Sequence, residues 1–209
     1  MIDIIIKNLP ILVVLTPLMM SLIVVLISNN FLSWLLTLFT TLITLIFSLL
    51  LYQEVYLHTA ISYALGNWVP PLGIEYLIDK VSIIPIIIIA LISFLATFFA
   101  SKIMPAEINN SSISKVYSLW LLAIAGLIGL VTTGDAFNLF VFLEISSLAS
   151  VALVAMGGQK DKQALVAAYN YLILGAIGAT FYVIGVGLLY GITGTLNLAD
   201  LLDRIAEIS

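Results

Sequence analysis

The stretch Thr133-Gly134-Asp135-Ala136-Phe137-Asn138-Leu139-Phe140-Val141-Phe142-Leu143-Glu144-Ile145-Ser146-Ser147-Leu148-Ala149-Ser150 opens an apolar run that continues to Met156. The run from Ala136 has about the 20 residues that a bilayer-spanning helix needs, and Glu144 falls near its middle. A charged side chain at the bilayer centre costs at least roughly 2.5–3.5 kcal/mol, so such a residue normally faces a bundle interior or a water-filled path. A carboxyl that gains and loses a proton there is the raw material of a proton relay. The competing reading is a protonated glutamic acid that only hydrogen-bonds one helix to another.

Composition sets the class. Of 209 residues, 63% are hydrophobic and 9% charged, and mean hydropathy is +1.25. A soluble core cannot hide that much apolar side chain, so the chain reads as a polytopic, all-α transmembrane helix bundle. The net charge is −4, and the seven cationic residues are scattered rather than clustered; no surface for tracking phosphates results, which excludes nucleic acid as a partner. Cysteine is absent, which excludes disulfides, thiolate metal sites and cysteine-ligated iron–sulfur clusters. No metal-ligand cluster or nucleophile–base pair stands out either, so no cofactor is expected and any redox chemistry belongs to other chains. The apolar segment after Lys7 is longer than the core of a signal peptide, lacks a small-residue cleavage pattern, and is read as retained.

Six spans are predicted, at about 9–28, 31–52, 82–101, 116–133, 136–156 and 167–190, with a C-terminal amphipathic segment at about 195–207, all in one transmembrane domain over 1–209. Ser28-Asn29-Asn30 makes a tight first turn. The link from Gln53 to Lys80, carrying Trp68, Pro70, Pro71, Gly73, Glu75 and Asp79, reads as an ordered, partly interfacial loop. With six spans, Lys102, Lys115, Lys160 and Lys162 share one side. Lys7, Lys80 and Arg204 fall on the other, with Asp3 and most of the remaining acids. The lysine bias puts that first side in the cytoplasm and both termini outside the cell membrane. In the sixth span, Gly175 and Ala179, and Ala176 and Thr180, have the small-xxx-small spacing that permits close helix contact.

Gly134-Asp135-Ala136-Phe137-Asn138-Leu139-Phe140-Val141-Phe142-Leu143-Glu144 resembles the core motif of the antiporter-like membrane subunits. These are the D-type component of the multisubunit Mrp-type sodium/proton antiporters and its relatives in respiratory complex I and in membrane-bound hydrogenases. Pro70-Pro71-Leu72-Gly73-Ile74-Glu75 with Asp79-Lys80-Val81-Ser82 is similar to the family as well. So are Tyr171-Leu172-Ile173-Leu174-Gly175-Ala176 and Leu188-Leu189-Tyr190-Gly191-Ile192-Thr193-Gly194-Thr195-Leu196-Asn197. The resemblance covers the N-terminal part of a longer family fold of about fourteen helices, hence a partial antiporter-like fold here. It implies that Glu144 is the charged residue of the pair that drives proton movement, and that its partner is a lysine on the following, interrupted helix.

That helix lies beyond Ser209. Lys160 and Lys162 do not replace its lysine, because 16 and 18 residues from Glu144 correspond to about 24–27 Å along a helix. Asn170 stands where many relatives carry a lysine. The expectation is therefore a subunit of a cation/proton antiporter complex that works with other Mrp-like membrane subunits, one of which supplies the missing helices and lysine. Protons and Na+ are the implied cargo, and the lipid bilayer surrounds the bundle. Two alternatives stay open: an ion-pumping subunit of a respiratory complex such as a membrane-bound hydrogenase or a complex I-like enzyme, and a scaffold without an ion path.

Other candidates are neighbours of Glu144. Phe140, Ser147 and Leu148 share its face by helical spacing; Ser146, Ser147, Asn170 and Thr180 are candidate path residues. Asp135 either gathers ions at the mouth of the path or caps the helix that follows it. His58 reads as a solvated or structural histidine, and Glu75 and Asp79 read as solvated or as contacts to a neighbouring subunit.

Overall fold

The computed structural model describes residues 6–208; Asp3 lies outside the described residues. Among the described residues the regular elements are helices, apart from one β-hairpin. The helices are α1 (Leu9–Val24), α2 (Asn30–His58), α3 (Ile83–Glu107), α4 (Ile113–Thr132), α5 (Ala136–Met156), α6 (Gln163–Thr193) and α7 (Leu198–Ile208). Five of them, α2 to α6, are long and apolar enough to cross a membrane. The 16-residue α1 is shorter, and together these features make the chain a multi-pass membrane protein.

Local chemistry marks the helix ends. Asn29 Oδ1 accepts the Phe31 and Leu32 amides at the start of α2, at 3.0 and 3.2 Å. Asp79 Oδ1 accepts the Val81 and Ser82 amides just before α3, at 3.0 and 2.8 Å, and the Ser82 hydroxyl at 2.8 Å. Those bonds to Ser82 hold the exposed Asp79 carboxyl below the usual carboxylate range.

Successive helices run antiparallel, so their links collect at two ends. At one end the Lys160 ammonium, in the α5–α6 link, meets Glu107 at the end of α3, at 2.7 Å. At the other end lie the hairpin, the α4–α5 link and the α6–α7 link. The helix at the centre is α4: 56% of its most apolar 18-residue stretch is buried, against 17% for α5 and 11% for α6. Leu121, Ile124 and Ile128 of α4 join Leu9, Val13, Val24, Leu51 and Ile86 in the core.

Two interfaces depend on small or hydroxyl side chains. Along α2 the buried face carries Ser33, Thr37, Thr40, Thr41, Thr44 and Ser48, and each hydroxyl bonds a backbone carbonyl three or four residues earlier. A hydroxyl satisfied inside its own helix can be buried without an orphan polar group, so α2 packs closely on its neighbours. Thr97 of α3 ties three helices: its carbonyl accepts the Trp34 indole N–H at 2.9 Å, and its hydroxyl accepts that of Trp120 at 3.0 Å.

Between α4 and α5 the close contact runs through glycine. A Cβ on Gly126 would lie 2.6 Å from the Ser146 amide nitrogen, and one on Gly129 would lie 2.3 Å from the Phe142 ring. The small residues of α6 behave differently from the expectation. Gly175 does approach Ser147 and Ala179 is buried, but Ala176 and Thr180 are exposed, and a Cβ at Gly178, Gly185 or Gly187 would meet nothing within 4 Å.

Candidate ion-translocation site

Residues 53–80 do not form a loop throughout. The end of α2 runs into strand β1 (Ala60–Ala64), which pairs antiparallel with β2 (Glu75–Asp79), Tyr63 opposite Tyr76 and Ala64 opposite Glu75. The pairing extends through isolated bridges: Tyr76 with Thr133, and Asp135 with Asn197. The Gly134 amide donates to the Glu75 carbonyl at 2.8 Å, the Ala136 amide to the Leu196 carbonyl at 2.8 Å, and the Leu198 amide to the Gly134 carbonyl at 2.9 Å. Three segments distant in sequence thus form one hydrogen-bonded cap over the start of α5.

This cap corrects the reading of Glu75. Its carboxyl is buried rather than solvated, and it belongs to strand β2. The Ser62 hydroxyl donates to Glu75 Oε1, and the Asn197 amide donates to Oε2 at 2.7 Å. Burial without partners would be costly for such a group; two donors explain why it is tolerated. Asn197 also caps α7, its Oδ1 accepting the Ala199 and Asp200 amides at 3.0 and 3.1 Å.

Asp135 is buried and caps α5: its Oδ1 accepts the Asn138 amide at 2.7 Å. The Asn138 side-chain amide donates to the Thr133 hydroxyl at 3.0 Å. Tyr76, packed against Phe142 at 6.3 Å between ring centroids, completes the cap. Burial pushes the Tyr76 hydroxyl up to about 12, partly offset by a hydrogen bond with Asn138.

From this cap α5 runs inward. Glu144 stands eight residues past the helix start, about 12 Å along the axis, and is half-buried. No ion pair or hydrogen bond to its carboxyl occurs among the described residues. One face of α5, with Phe142, Ser146 and Ala149, closes on α4. Ser147, one turn from Glu144, lies on the side of α6: a Cβ on Gly175 would be 3.0 Å from its hydroxyl. The other predicted neighbours are spread out. Asp135 sits at the helix start, Asn170 is exposed five residues before Gly175, and the exposed Thr180 returns its hydroxyl to the Ala176 carbonyl at 2.7 Å. His58 is exposed, with Glu54 one turn away at 3.7 Å.

A family model described as NADH:quinone oxidoreductase/Mrp antiporter, TM, matches residues 133–208, from the cap through α5 and α6 into α7. The chain is 46% identical over 139 residues to the N subunit of NADH-quinone oxidoreductase from Desulforudis audaxviator, covering 66% of this chain and 27% of that protein. With the D subunit of the Na(+)/H(+) antiporter from Bacillus subtilis it shares 31% identity over 204 residues, 96% of this chain and 40% of that one. By sequence and by fold, this chain is related to the antiporter-like membrane subunits.

Solved structures agree. A chain of the membrane-bound sulfane sulfur reductase, an archaeal respiratory membrane complex, superposes with a TM-score of 0.85 at 34% identity over 93% of this chain and 39% of that one. A chain of the Mrp complex from Dietzia sp. DQ12-45-1b does so with a TM-score of 0.81 at 25% identity, covering 92% and 36% respectively. These neighbours belong to multisubunit membrane complexes. The antiporter-like chain described here spans well under half the length of the relatives it matches. Sequence reading missed two features of it, the Glu75–Asn197 contact and the hydroxyl face of α2. The second had a signal in the helical spacing of Ser33, Thr37, Thr40, Thr44 and Ser48; the first, across 122 residues, had none.

Proposed function

We propose that this chain forms part of a cation/proton antiporter unit in a multisubunit complex of the cell membrane, in which Glu144 carries protons and Na+ is the exchanged cation. The observation that carries the reading is an acidic side chain halfway along α5, half-buried and without an ion-pair partner among the described residues. Such a group is costly unless it works against a counter-charge or in water. The counter-charge, a lysine by analogy with the family, lies outside residues 1–209, on whichever chain carries the remaining helices. Ser147 is the neighbour best placed to pass a proton from Glu144 towards α6. Asp135, Asn170 and Thr180 mark the mouth and flank of the same path.

Glu144→Gln in the intact complex tests this. The variant should assemble, while cation-dependent proton exchange in membrane vesicles falls at least about tenfold. Exchange at the unmodified rate would overturn the relay and leave Glu144 as a helix-to-helix contact.

A second reading, an ion-pumping membrane component powered by redox partners, is favoured by the likeness to a chain of a respiratory complex. Iron–sulfur proteins co-purifying with the chain, and ion movement that needs an electron donor, would select it. For orientation, we place Lys102, Lys115, Lys160 and Lys162 in the cytoplasm and the hairpin outside. The chain lacks cysteine, so Lys162→Cys and His58→Cys can be labelled singly in whole cells; reagent should reach His58→Cys and not Lys162→Cys.

A further inference from the structure

We infer that Glu75 is a positioning residue for translocation, a lock joining the hairpin, the start of α5 and the α6–α7 link. The inference rests on the reading of α5 as the helix that moves protons. Backbone pairing joins these segments, including the Tyr76–Thr133 bridge, and the Tyr182 hydroxyl of α6 holds the Ala136 carbonyl at 3.0 Å. The α4–α5 link is short, Thr133 to Asp135, and its Gly134 is bonded on one side to the Glu75 carbonyl and on the other to the Leu198 amide. The α6–α7 link meets it through the Asp135–Asn197 bridge. Both links contribute a helix cap, Asp135 for α5 and Asn197 for α7. The two capping residues are therefore side by side on paired backbone.

Glu75 is the group that ties this pair to the hairpin. One carboxylate oxygen takes the Ser62 hydroxyl from β1, and the other takes the Asn197 amide at 2.7 Å. Its own carbonyl takes the Gly134 amide. A single residue thus bonds all three segments, through side chain and backbone together, and it is buried. A charge-assisted bond of this kind is stronger than a neutral one. Removing either partner would leave the other buried and unsatisfied. The consequence lies along α5. Glu144 is carried by the helix whose first turn this lock fixes, and a shift of the cap would rotate or translate the carboxyl relative to Ser147 and α6.

An exchange of partners tests the lock in the intact complex. Asn197→Asp keeps an oxygen to cap α7 but sets a second carboxylate against Glu75. The maximal rate of cation/proton exchange should fall at least about tenfold, with the KM for the cation unchanged, and amide hydrogen exchange should quicken in 75–79, 133–136 and 196–201. Adding Glu75→Gln restores a carboxylate–amide pair in the reverse order, and both readouts should return to within about twofold of the unmodified complex. Unaltered protection and rate in Asn197→Asp, or a double variant no better than the single one, would overturn the lock. Because hydrogen exchange needs no transport, restored protection in a complex that never exchanges ions would uphold the lock and reject the antiport reading instead. Normal transport with an inert Asn197→Asp would do the reverse.

Discussion

The two sides of α5 are built to different standards. Towards α4 the helix is seated so closely that Gly126 and Gly129 leave no room for a methyl group, and Phe142, Ser146 and Ala149 are buried. Towards α6 the contact is sparser: Gly175 and the buried Ala179 mark a close approach and the Tyr182 hydroxyl donates to the Ala136 carbonyl at 3.0 Å, whereas Gly178, Gly185 and Gly187 face open space. Glu144 stands on the helix that joins these two regimes. A fixed wall gives the carboxyl a defined position. The loosely covered side is where water, a counter-charge or further helices can reach it, which is what a working intramembrane charge needs.

The comparison is broken most severely by filling the fixed wall. Gly129→Leu drives a side chain into the Phe142 ring, and because a Cβ alone would sit 2.3 Å from it, the helices must separate. Overpacking typically costs 1–3 kcal/mol, and a large side chain against a helix interface should reach at least about 3 kcal/mol. Thermal unfolding of the detergent-solubilised complex should show a large fall in Tm, with exchange lost. The same substitution at Gly185 should leave the stability of this bundle within about 0.5 kcal/mol. Equal losses at both positions would mean that the α6 side is covered as tightly as the α4 side.

Alkaline pH probes the anchor at the top of the fixed wall. Tyr76, free in an unfolded chain, ionises near 10.0, whereas its hydroxyl is pushed up to about 12 by burial. Folding therefore favours the neutral phenol: the contribution is fully present below pH 10 and is lost as the pH rises from 10 towards 12. The ceiling is about 2–3 kcal/mol, from 1.36 kcal/mol for each pH unit. Tyr76→Phe should flatten the alkaline limb of the stability curve. A limb of the same steepness in both proteins would assign it to other groups.

The sequence made much of this legible and left particular parts silent. Apolar runs and punctuating polar residues announced the helices, and Asp135 ahead of Ala136 announced the start of α5, because caps and spans are local physics. The mid-span glutamate was equally visible, since its cost depends only on depth. The hairpin and its bridges to Thr133 and Asn197 were not, because backbone pairing between remote segments leaves no periodicity in either. Glu75 was misread for the same reason: its donors, Ser62 and Asn197, become neighbours only in the fold. The glycines of α6 drew more attention than Gly126 and Gly129, although spacing alone cannot say which small residues meet a partner.

A smaller effect sharpens the contrast on the far side of α4. Thr97→Val removes the hydroxyl that accepts the Trp120 indole N–H and leaves that donor unsatisfied among helices. A cost of about 1–3 kcal/mol is expected, read as a lower Tm. Thr180→Val should have no such effect, because the Thr180 hydroxyl is exposed and bonds only its own helix. A loss at Thr180 matching that at Thr97 would show that the Thr180 hydroxyl meets a partner outside its own helix.

The smallest effect belongs to the end opposite the cap. The Lys160–Glu107 pair is close, at 2.7 Å, but more than half of each side chain is exposed. Water and salt screen such a pair, and holding two long side chains together costs entropy, so Glu107→Gln should change stability by less than about 1 kcal/mol. What it should change is salt dependence. In the unmodified complex, raising ionic strength weakens the tie between α3 and the α5–α6 link, and in the variant that sensitivity disappears. A loss larger than that of Thr97→Val would place the stronger restraint on α5 at its Met156 end. The fixed wall would then be anchored from both ends, and the mobility available to Glu144 would be confined to the α6 side alone.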